Sequence, residues 1–468
     1  MIKTTIFIGQ RSTRLRQHDL NKSNYQAHVL PYDYSFTHEC LAKPLKPQYG
    51  GGIAINPELD KGLKGWTQSC DAKVEHHQQS NGNNYLAASI ISANQTSTIK
   101  KFHLEEDKLY TFSAWFQVSK GNAYIQAIFM THTDNITAGW VATQQGCWTM
   151  LKGGLVVNVT GLAELYFRSH DINSTAQIWV DNISLQPFTH QEWKSDQDQS
   201  IEKYRKSKLK FHVVDQQNRP VPDATISMKQ TRLSFLFGNA ISGYILNSTA
   251  YQNWFASQFK YTVFENEMKW YLNEQTRGIV DYSVTDAMLQ FAKSHRIAER
   301  IGENSSATYY KKAHEIDPDA LLFLNEYMTL EKRAFWSDEF ALCGASIDVL
   351  DSANRLDQVI RELHSHHAVQ GILIWSAISP EGCWKMCLTD QNFDNLDTGD
   401  VVDKFIAEWT HSSGLEGKTD SNGYFETSLF HAQYEANLRL GKKPILQKFE
   451  VAPNGDGKHE EVVFKIFV

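Results

Sequence analysis

The densest chemistry in the chain lies in Phe264-Glu265-Asn266-Glu267-Met268-Lys269-Trp270, where two carboxylates, an amide, an ammonium and an indole fall within six positions. Carboxylate, amide and ammonium groups hydrogen-bond hydroxyls, and an indole offers a flat apolar face to a sugar ring. The combination suits a polyhydroxylated substrate. The alternating run before it, Phe259-Lys260-Tyr261-Thr262-Val263, predicts a buried strand, which puts the cluster where that strand opens at its carboxyl end. The plain alternative is a strand end followed by a solvated helix start, since loops are polar in any case.

The elements that must hold such a site follow from periodicity. From residue 235 to 409 apolar strands alternate with amphipathic helices: residues 286–293 and 356–363 have helical spacing, while 321–324 and 371–375 read as buried strands. Strands that alternate with helices imply a parallel sheet, and function at their carboxyl ends suits a (β/α) barrel. Residues 50–188 have a different texture, with short alternating strands, Gly/Asn/Asp turns and almost no helical period, which indicates a β-sandwich. Residues 189–208 form a charged connector with helical character, and 1–49 read as an irregular N-terminal segment ending in the linker-like Lys43-Pro44-Leu45-Lys46-Pro47. Two strand-turn-strand pieces lie far apart, at 211–226 and 417–438. They resemble the halves of one small carboxypeptidase-regulatory-like β-sandwich, so residues 209–229 are expected to pair with 414–468 around an inserted barrel.

Composition narrows the function classes. With 468 residues the chain has room for several domains, and a net charge of −7 carries no polyanion-binding signature, so neither nucleic acid nor an acidic membrane is an expected partner. No apolar run approaches a bilayer span, and the first ten residues hold too short an apolar stretch for a signal peptide. Sequons at Asn94, Asn135, Asn158, Asn173, Asn182, Asn247 and Asn304 point the other way, toward a secretory history. The six cysteines match neither a zinc ribbon nor a disulfide scaffold; Cys383 and Cys387 fit equally a tight disulfide loop or two buried thiols. His364-Ser365-His366-His367 reads as a solvated helix end rather than a metal site, and Asp390-Gln391-Asn392-Phe393-Asp394-Asn395 lacks the Gly and bidentate Glu of a calcium loop. No cofactor or metal is expected, and the sequence carries no signal for an oligomeric state.

Three ordered motifs in the sandwich, Ile55-Asn56-Pro57-Glu58-Leu59 with Gly65-Trp66, Tyr110-Thr111-Phe112-Ser113-Ala114-Trp115, and Ile178-Trp179-Val180-Asp181-Asn182-Ile183, resemble the jelly-roll carbohydrate-binding modules of family 22. That resemblance implies binding of xylan or a related β-glycan by aromatic side chains, the candidates being Trp66, Trp115, Trp140, Trp148 and Tyr166. The Glu265-Asn266-Glu267-Met268-Lys269-Trp270 stretch is similar to the second barrel strand of glycoside hydrolase family 10, the endo-1,4-β-xylanases. Leu236-Phe237-Gly238-Asn239-Ala240, Leu324-Asn325-Glu326-Tyr327 and Gly371-Ile372-Leu373-Ile374-Trp375 match its strands one, five and eight, and residues 379–390 look like its plant branch. The resemblance implies substrate-holding roles for Glu265, Asn266, Lys269, Trp270, Asn325 and Trp375, and retaining hydrolysis by two carboxyl groups about 5–5.5 Å apart.

Both cutting carboxylates depart from the pattern. The family's acid/base Glu sits in a Trp-Asp-x-x-Asn-Glu motif that this sequence lacks, the chain running from Ser294-His295-Arg296-Ile297-Ala298 straight into Ile301-Gly302-Glu303-Asn304. The place of the Thr-Glu-x-Asp nucleophile motif is taken by Ala345-Ser346-Ile347-Asp348-Val349, which has no Glu. About 175 residues remain for a barrel that usually needs 200 or more. The expected architecture is therefore multidomain: a jelly-roll β-sandwich at 50–188, an incomplete α/β barrel of the TIM type at 230–413, and a small β-sandwich from the segments flanking it. The expected function is that of a xylan-directed hydrolase homologue of the cell wall with impaired catalysis, or alternatively a non-catalytic polysaccharide-binding protein.

Overall fold

The structure is a computed structural model that describes residues 3–8, 30–37, 39–66, 74–89, 98–169, 176–267, 269–299, 323–326, 352–367, 369–375, 377–378, 387–410, 414–440, 443–452 and 462–467. It divides into two compact units, one holding the described residues from 30 to 196 and the other β1 (Lys3–Ile8) with the described residues from 197 onward.

The first unit is a two-sheet sandwich. Its strands are β2 (Val74–Gln78), β3 (Asn84–Ser89), β4 (Thr98–Leu104), β5 (Lys108–Val118), β6 (Asn122–Met130), β7 (Asn135–Gln144), β8 (Thr149–Val156), β9 (Gly161–Ser169) and β10 (Gln177–Thr189). They form a five-stranded sheet in the order β2-β3-β10-β5-β8 and a four-stranded sheet in the order β4-β9-β6-β7. Alternation along β5 explains the layering. Tyr110, Phe112, Ala114, Phe116 and Val118 enter the core between the sheets with Leu86, Phe129, Leu165 and Ile178.

The intervening residues Thr111, Ser113, Trp115 and Gln117 point to the other side, yet all four are buried. They are covered by residues 30–49, which have no strand or α-helix among their described residues but pack on the sheet rather than forming a free linker. Leu41 pairs with Trp148 as a two-way bridge, Phe36 and Leu41 pack on Tyr85, Trp115 and Trp148, and a Cys40–Cys147 disulfide fastens the segment to the sheet. That disulfide spans 107 residues, a loop whose closure disfavours the unfolded chain by about 4–5 kcal/mol on chain-entropy grounds. The prolines that suggested a linker, Pro44 and Pro47, are themselves buried.

Helix α1 (His190–Arg205) fits the charged connector, and it opens with a reciprocal cap: Thr189 Oγ1 accepts from Glu192 N at 3.1 Å while Glu192 Oε2 accepts from Thr189 N at 2.8 Å. In the second unit β11 (Lys206–Val214) and β12 (Thr225–Leu233) lead into β13 (Leu236–Ile241), α2 (Thr249–Gln258), β14 (Tyr261–Phe264), α3 (Trp270–Asn273), α4 (Ser283–Ser294), β15 (Ala298–Glu299), β16 (Phe323–Glu326), α5 (Ser352–Ser365), β17 (Val369–Trp375) and α6 (Asp397–Thr410). The chain closes with β18 (Leu415–Lys418), β19 (Tyr424–Phe430), β20 (Ala432–Leu440), β21 (Lys443–Val451) and β22 (Val462–Phe467).

Strands β15, β14, β13 and β17 are parallel neighbours, joined through α2 and α4 as βαβ units require. The sheet continues through β1 to β16, and β1 runs antiparallel to both of its neighbours. This is a second correction to residues 1–49. The run Lys3-Thr-Thr-Ile-Phe-Ile8 is rich in strand formers, and it pairs with one edge of β17 and with β16.

The segments on either side of this sheet meet in two others. β11 pairs antiparallel with β19 and parallel with β22, while β12 pairs with β18 and β20. Their shared core includes Phe211, Ile226, Leu429, Tyr434 and Leu438. The turn before β19 needs Gly423, whose φ is +75° and whose added Cβ would lie 2.6 Å from Val213 O.

The reading of His364 to His367 as a solvated helix end is also corrected. His364 is fully buried and stacks on Trp409 with ring centroids 4.1 Å apart, and Ser365 and His366 are buried too, while His367 is exposed as expected. Arg205 gathers this helix end by donating to the carbonyls of His364, His366 and Val369. Apolar burial with Arg205 nearby pushes the His364 imidazole well below its ordinary pKa.

Candidate functional site

The strand expected to carry the site, β14, ends at the carboxyl edge of parallel strands. β14 extends one residue past its named end, because Glu265 N donates to Ile241 O at 2.9 Å, continuing the parallel ladder with β13. Val263 and Trp375 pack in one cluster with Leu236, Ala240, Tyr261 and Leu373 on a single face of the sheet. Glu265 lies two residues beyond Val263 and thus on that same face, at the carboxyl ends of parallel strands. Its side chain is buried, and its charge is one of the causes, after burial, that push the Tyr251 phenol upward.

After Glu265 the backbone turns. Asn266 is exposed, and its Oδ1 accepts from Lys269 Nζ at 2.6 Å, which sets an amide and an ammonium side by side at the rim. Glu267 is used differently. Its Oε1 accepts from Gly243 N at 2.5 Å and its Oε2 from Asn266 N at 3.0 Å, while its carbonyl accepts from Thr285 Oγ1 and Asn273 Nδ2, both at 2.8 Å. Each carboxylate oxygen therefore accepts from a backbone amide, and the residue ties the loop after β13 to the loop after β14.

The structure thus brings Glu265, Asn266, Lys269 and Trp375 to one end of one sheet. Trp270 begins α3, and Asn325 lies in β16 opposite Thr5. Ile301 to Asn304, Ala345 to Val349 and most of the plant-like segment at 379–390 lie outside the described residues. The Glu267 clamp was not anticipated, because its partner Gly243 is 24 residues away and no local pattern links the two.

In the sandwich the five aromatic candidates separate by exposure. Trp115 and Trp148 are buried beneath residues 30–49, and Tyr166 is buried with its hydroxyl accepting from Arg168 Nη2 at 3.0 Å. Trp66 is nearly buried: its Nε1 donates to Asn56 O at 3.2 Å, and the Lys100 ammonium lies 4.1 Å from its ring centroid. Burial lowers that Lys100 pKa to about 8. Trp140 alone among the five is only partly covered, and it pairs with Tyr124, which is 55% exposed, at a centroid distance of 5.5 Å. Tyr124 was overlooked, although period-2 alternation along β6 sets it on the outer face with Asn122 and Gln126. Beside it is a cavity of about 480 Å³ lined by Cys40, Asn122, Tyr124, Ala142, Gln144 and Thr149.

Asp181, in the last sandwich motif, is buried, and desolvation raises its pKa to about 7 even though its Oδ1 accepts from Asn182 N at 2.6 Å. Its neighbour Asn182 is buried as well and donates from Nδ2 to Leu45 O at 2.6 Å, so the sequon there is consumed by packing.

Comparison with known proteins places the chain in a family. Residues 227–302, which span β13, β14 and the Glu265–Trp270 turn, match the family model described as glycosyl hydrolase family 10. Endo-1,4-beta-xylanase 5 of Arabidopsis thaliana is 31% identical, the match covering 72% of this chain and 80% of that protein. Endo-1,4-beta-xylanase 5-like of the same plant is 28% identical, covering 87% of this chain and 89% of the relative. These alignments run over 460 and 529 positions but draw on only 72% and 87% of 468 residues, so each holds more than a hundred positions to which this chain contributes nothing. The sandwich is similar to the CBM22-1 xylan-binding domain of Paenibacillus barcinonensis Xyn10C, at 15% identity over 27% of this chain and 86% of that one, with a TM-score of 0.23. With a curated xylanase aligned over four fifths of its length at this identity, the chain belongs to glycosyl hydrolase family 10.

Proposed function

We propose that this protein holds β-1,4-xylan without cutting it efficiently: a xylanase homologue whose shortened barrel keeps the sugar-holding wall and has lost its catalytic pair. The observation that carries this is the unequal survival of the site. Glu265, Asn266, Lys269 and Trp375 stand together at one sheet end, whereas the sequence contains neither a Trp-Asp-x-x-Asn-Glu nor a Thr-Glu-x-Asp motif. Retaining hydrolysis needs one carboxyl as acid and a second as nucleophile. Glu267 is a poor replacement, since both of its oxygens already accept from backbone amides. Losing general acid catalysis alone costs about 10²–10⁴-fold in rate.

The missing alignment positions and the family match that ends at residue 302 support a deletion within a barrel of residues 230–413. The sandwich at 50–188 serves as the carbohydrate-binding module, with Trp140 and Tyr124 as its exposed platform. The small β-domain is assembled from 209–229 and 414–468. A disulfide at Cys40–Cys147 and a second one at Cys387 suit an oxidising compartment such as the cell wall.

The test is reducing-end release from xylan at high protein concentration, run beside affinity electrophoresis in xylan-containing gels. The expected outcome is retardation without measurable release. Steady release that scales with protein would establish an active hydrolase and overturn the reading. Absence of retardation would remove the binding function as well.

A further inference from the structure

The outer face of the five-stranded sheet is composed like a binding surface but is closed. Tyr85, Trp115, Trp148 and Trp179 stand there with Gln117 and Lys152. Such a mixture of rings, an amide and an ammonium is unusual for a face that exists only to be buried.

Its cover is an add-on rather than a layer of regular structure. The described residues of 30–49 contribute no strand or α-helix over this face, but the isolated Leu41–Trp148 bridge, the Phe36 and Leu41 side chains and the Cys40–Cys147 link. Lys152 reaches across to donate to the Asp33 carbonyl, and Gln48 Nε2 donates to Ser35 O at 2.7 Å. The polar groups beneath are not all satisfied: Ser184 Oγ and Asn182 Oδ1 are buried on β10 without a hydrogen-bond partner. A cover that strands polar atoms is closed at a cost, which opening to water or to a hydroxylated ligand would remove. The clasp can also be reached, since Cys40 lines the open 480 Å³ cavity.

We infer that residues 30–49 are a releasable strap, clasped by the Cys40–Cys147 disulfide, over a second β-glycan-binding face made by Trp115, Trp148, Tyr85 and Trp179. Release is a thiol–disulfide exchange with a dithiol. One thiolate of the dithiol attacks a sulfur of the pair, its second thiol completes the exchange, and the reductant leaves as a disulfide while Cys40 and Cys147 each gain a hydrogen. The freed strap then gives up the Leu41 bridge, and the rings become available for stacking on pyranose faces. This rests on the carbohydrate reading of the sandwich, for which binding by the oxidised protein is the control.

The experiment uses the full chain, oxidised or treated with dithiothreitol, together with the Cys40→Ser variant. Iodide quenching of tryptophan fluorescence reports the strap, calorimetric titration with xylohexaose reports binding, and circular dichroism reports the fold. Reduction and Cys40→Ser are expected to raise the quenchable tryptophan fraction and to add one xylohexaose site per chain with strand content unchanged. The added site should persist in a Tyr124→Ala/Trp140→Ala background. Unchanged quenching, quenching without an added site, or loss of the sandwich on reduction would each overturn the inference. Failure of the oxidised protein to bind at Tyr124 and Trp140 would instead sink the reading of the sandwich as a carbohydrate module.

Discussion

Side chains of the same type do different work within a few residues of one another. Glu265 is buried at the carboxyl end of β14, while Glu267 is a clamp whose oxygens accept from Gly243 and Asn266. An ammonium carries three donors, and Lys269 gives one of them to Asn266 Oδ1. Replacing it, as Lys269→Ala, removes a charged hydrogen-bond donor and should weaken xylohexaose binding at the barrel site roughly tenfold, as read by calorimetry in a Tyr124→Ala/Trp140→Ala background. Unchanged affinity would show that this wall does not touch the sugar. The sequence exposed Glu265, Asn266 and Lys269 because they follow a strand directly, so their placement is local. It could not distinguish Glu267 from Glu265, since that distinction rests on a backbone amide brought in by another strand.

Elements with a clean period were the readable ones. α4 and α5 contain the helical stretches inferred at 286–293 and 356–363, and β17 extends the strand inferred at 371–375 by two residues at its start. Residues 30–49 have no period at all, and what orders them is a sheet face made a hundred residues later, so they read as linker. β1 was missed for a related reason: six residues give too little pattern, and its two partners lie beyond residue 320. Its importance to the sheet can be checked with Thr5→Pro. Proline at the middle of β1 deletes a ladder hydrogen bond from β1 to β17 or to β16, whichever neighbour receives it. Amide exchange in residues 371–374 of β17 should then accelerate by about tenfold or more, while protection in the sandwich stays as it was. Equal protection in β17 would mean that the sheet does not depend on β1.

At the scale of the molecule, the two units should respond to acid in opposite directions. Burial raises Asp181 from 3.8 to about 7, so its contribution to sandwich stability is fully present below about pH 4 and is lost as pH rises through 7. The full swing is on the order of 4 kcal/mol for a shift of this size. In the other unit, burial and then the Arg205 charge lower His431 from 6.5 to about 4, and His364 is depressed as well. That stability is present above pH 6.5 and lost as pH falls through 4. Calorimetric scans should therefore show the transition of the first unit moving down, and that of the second moving up, between pH 4 and 7.5. Asp181→Asn should flatten the former and leave the latter in place; parallel movement of both transitions would refute the assignment.

The pairing of β11 with β19 and β22 also fixes a timetable. A ribosome adding about 5–20 residues per second needs roughly 10–40 s to travel from the end of β11 to the start of β19, and longer to finish β22. Through that interval β11 and β12 are synthesised strands without their mates, waiting while everything between them and residue 415 is made. These sheets can be completed only once β22 has been made, and their two leading strands give a holding chaperone a long opportunity to bind.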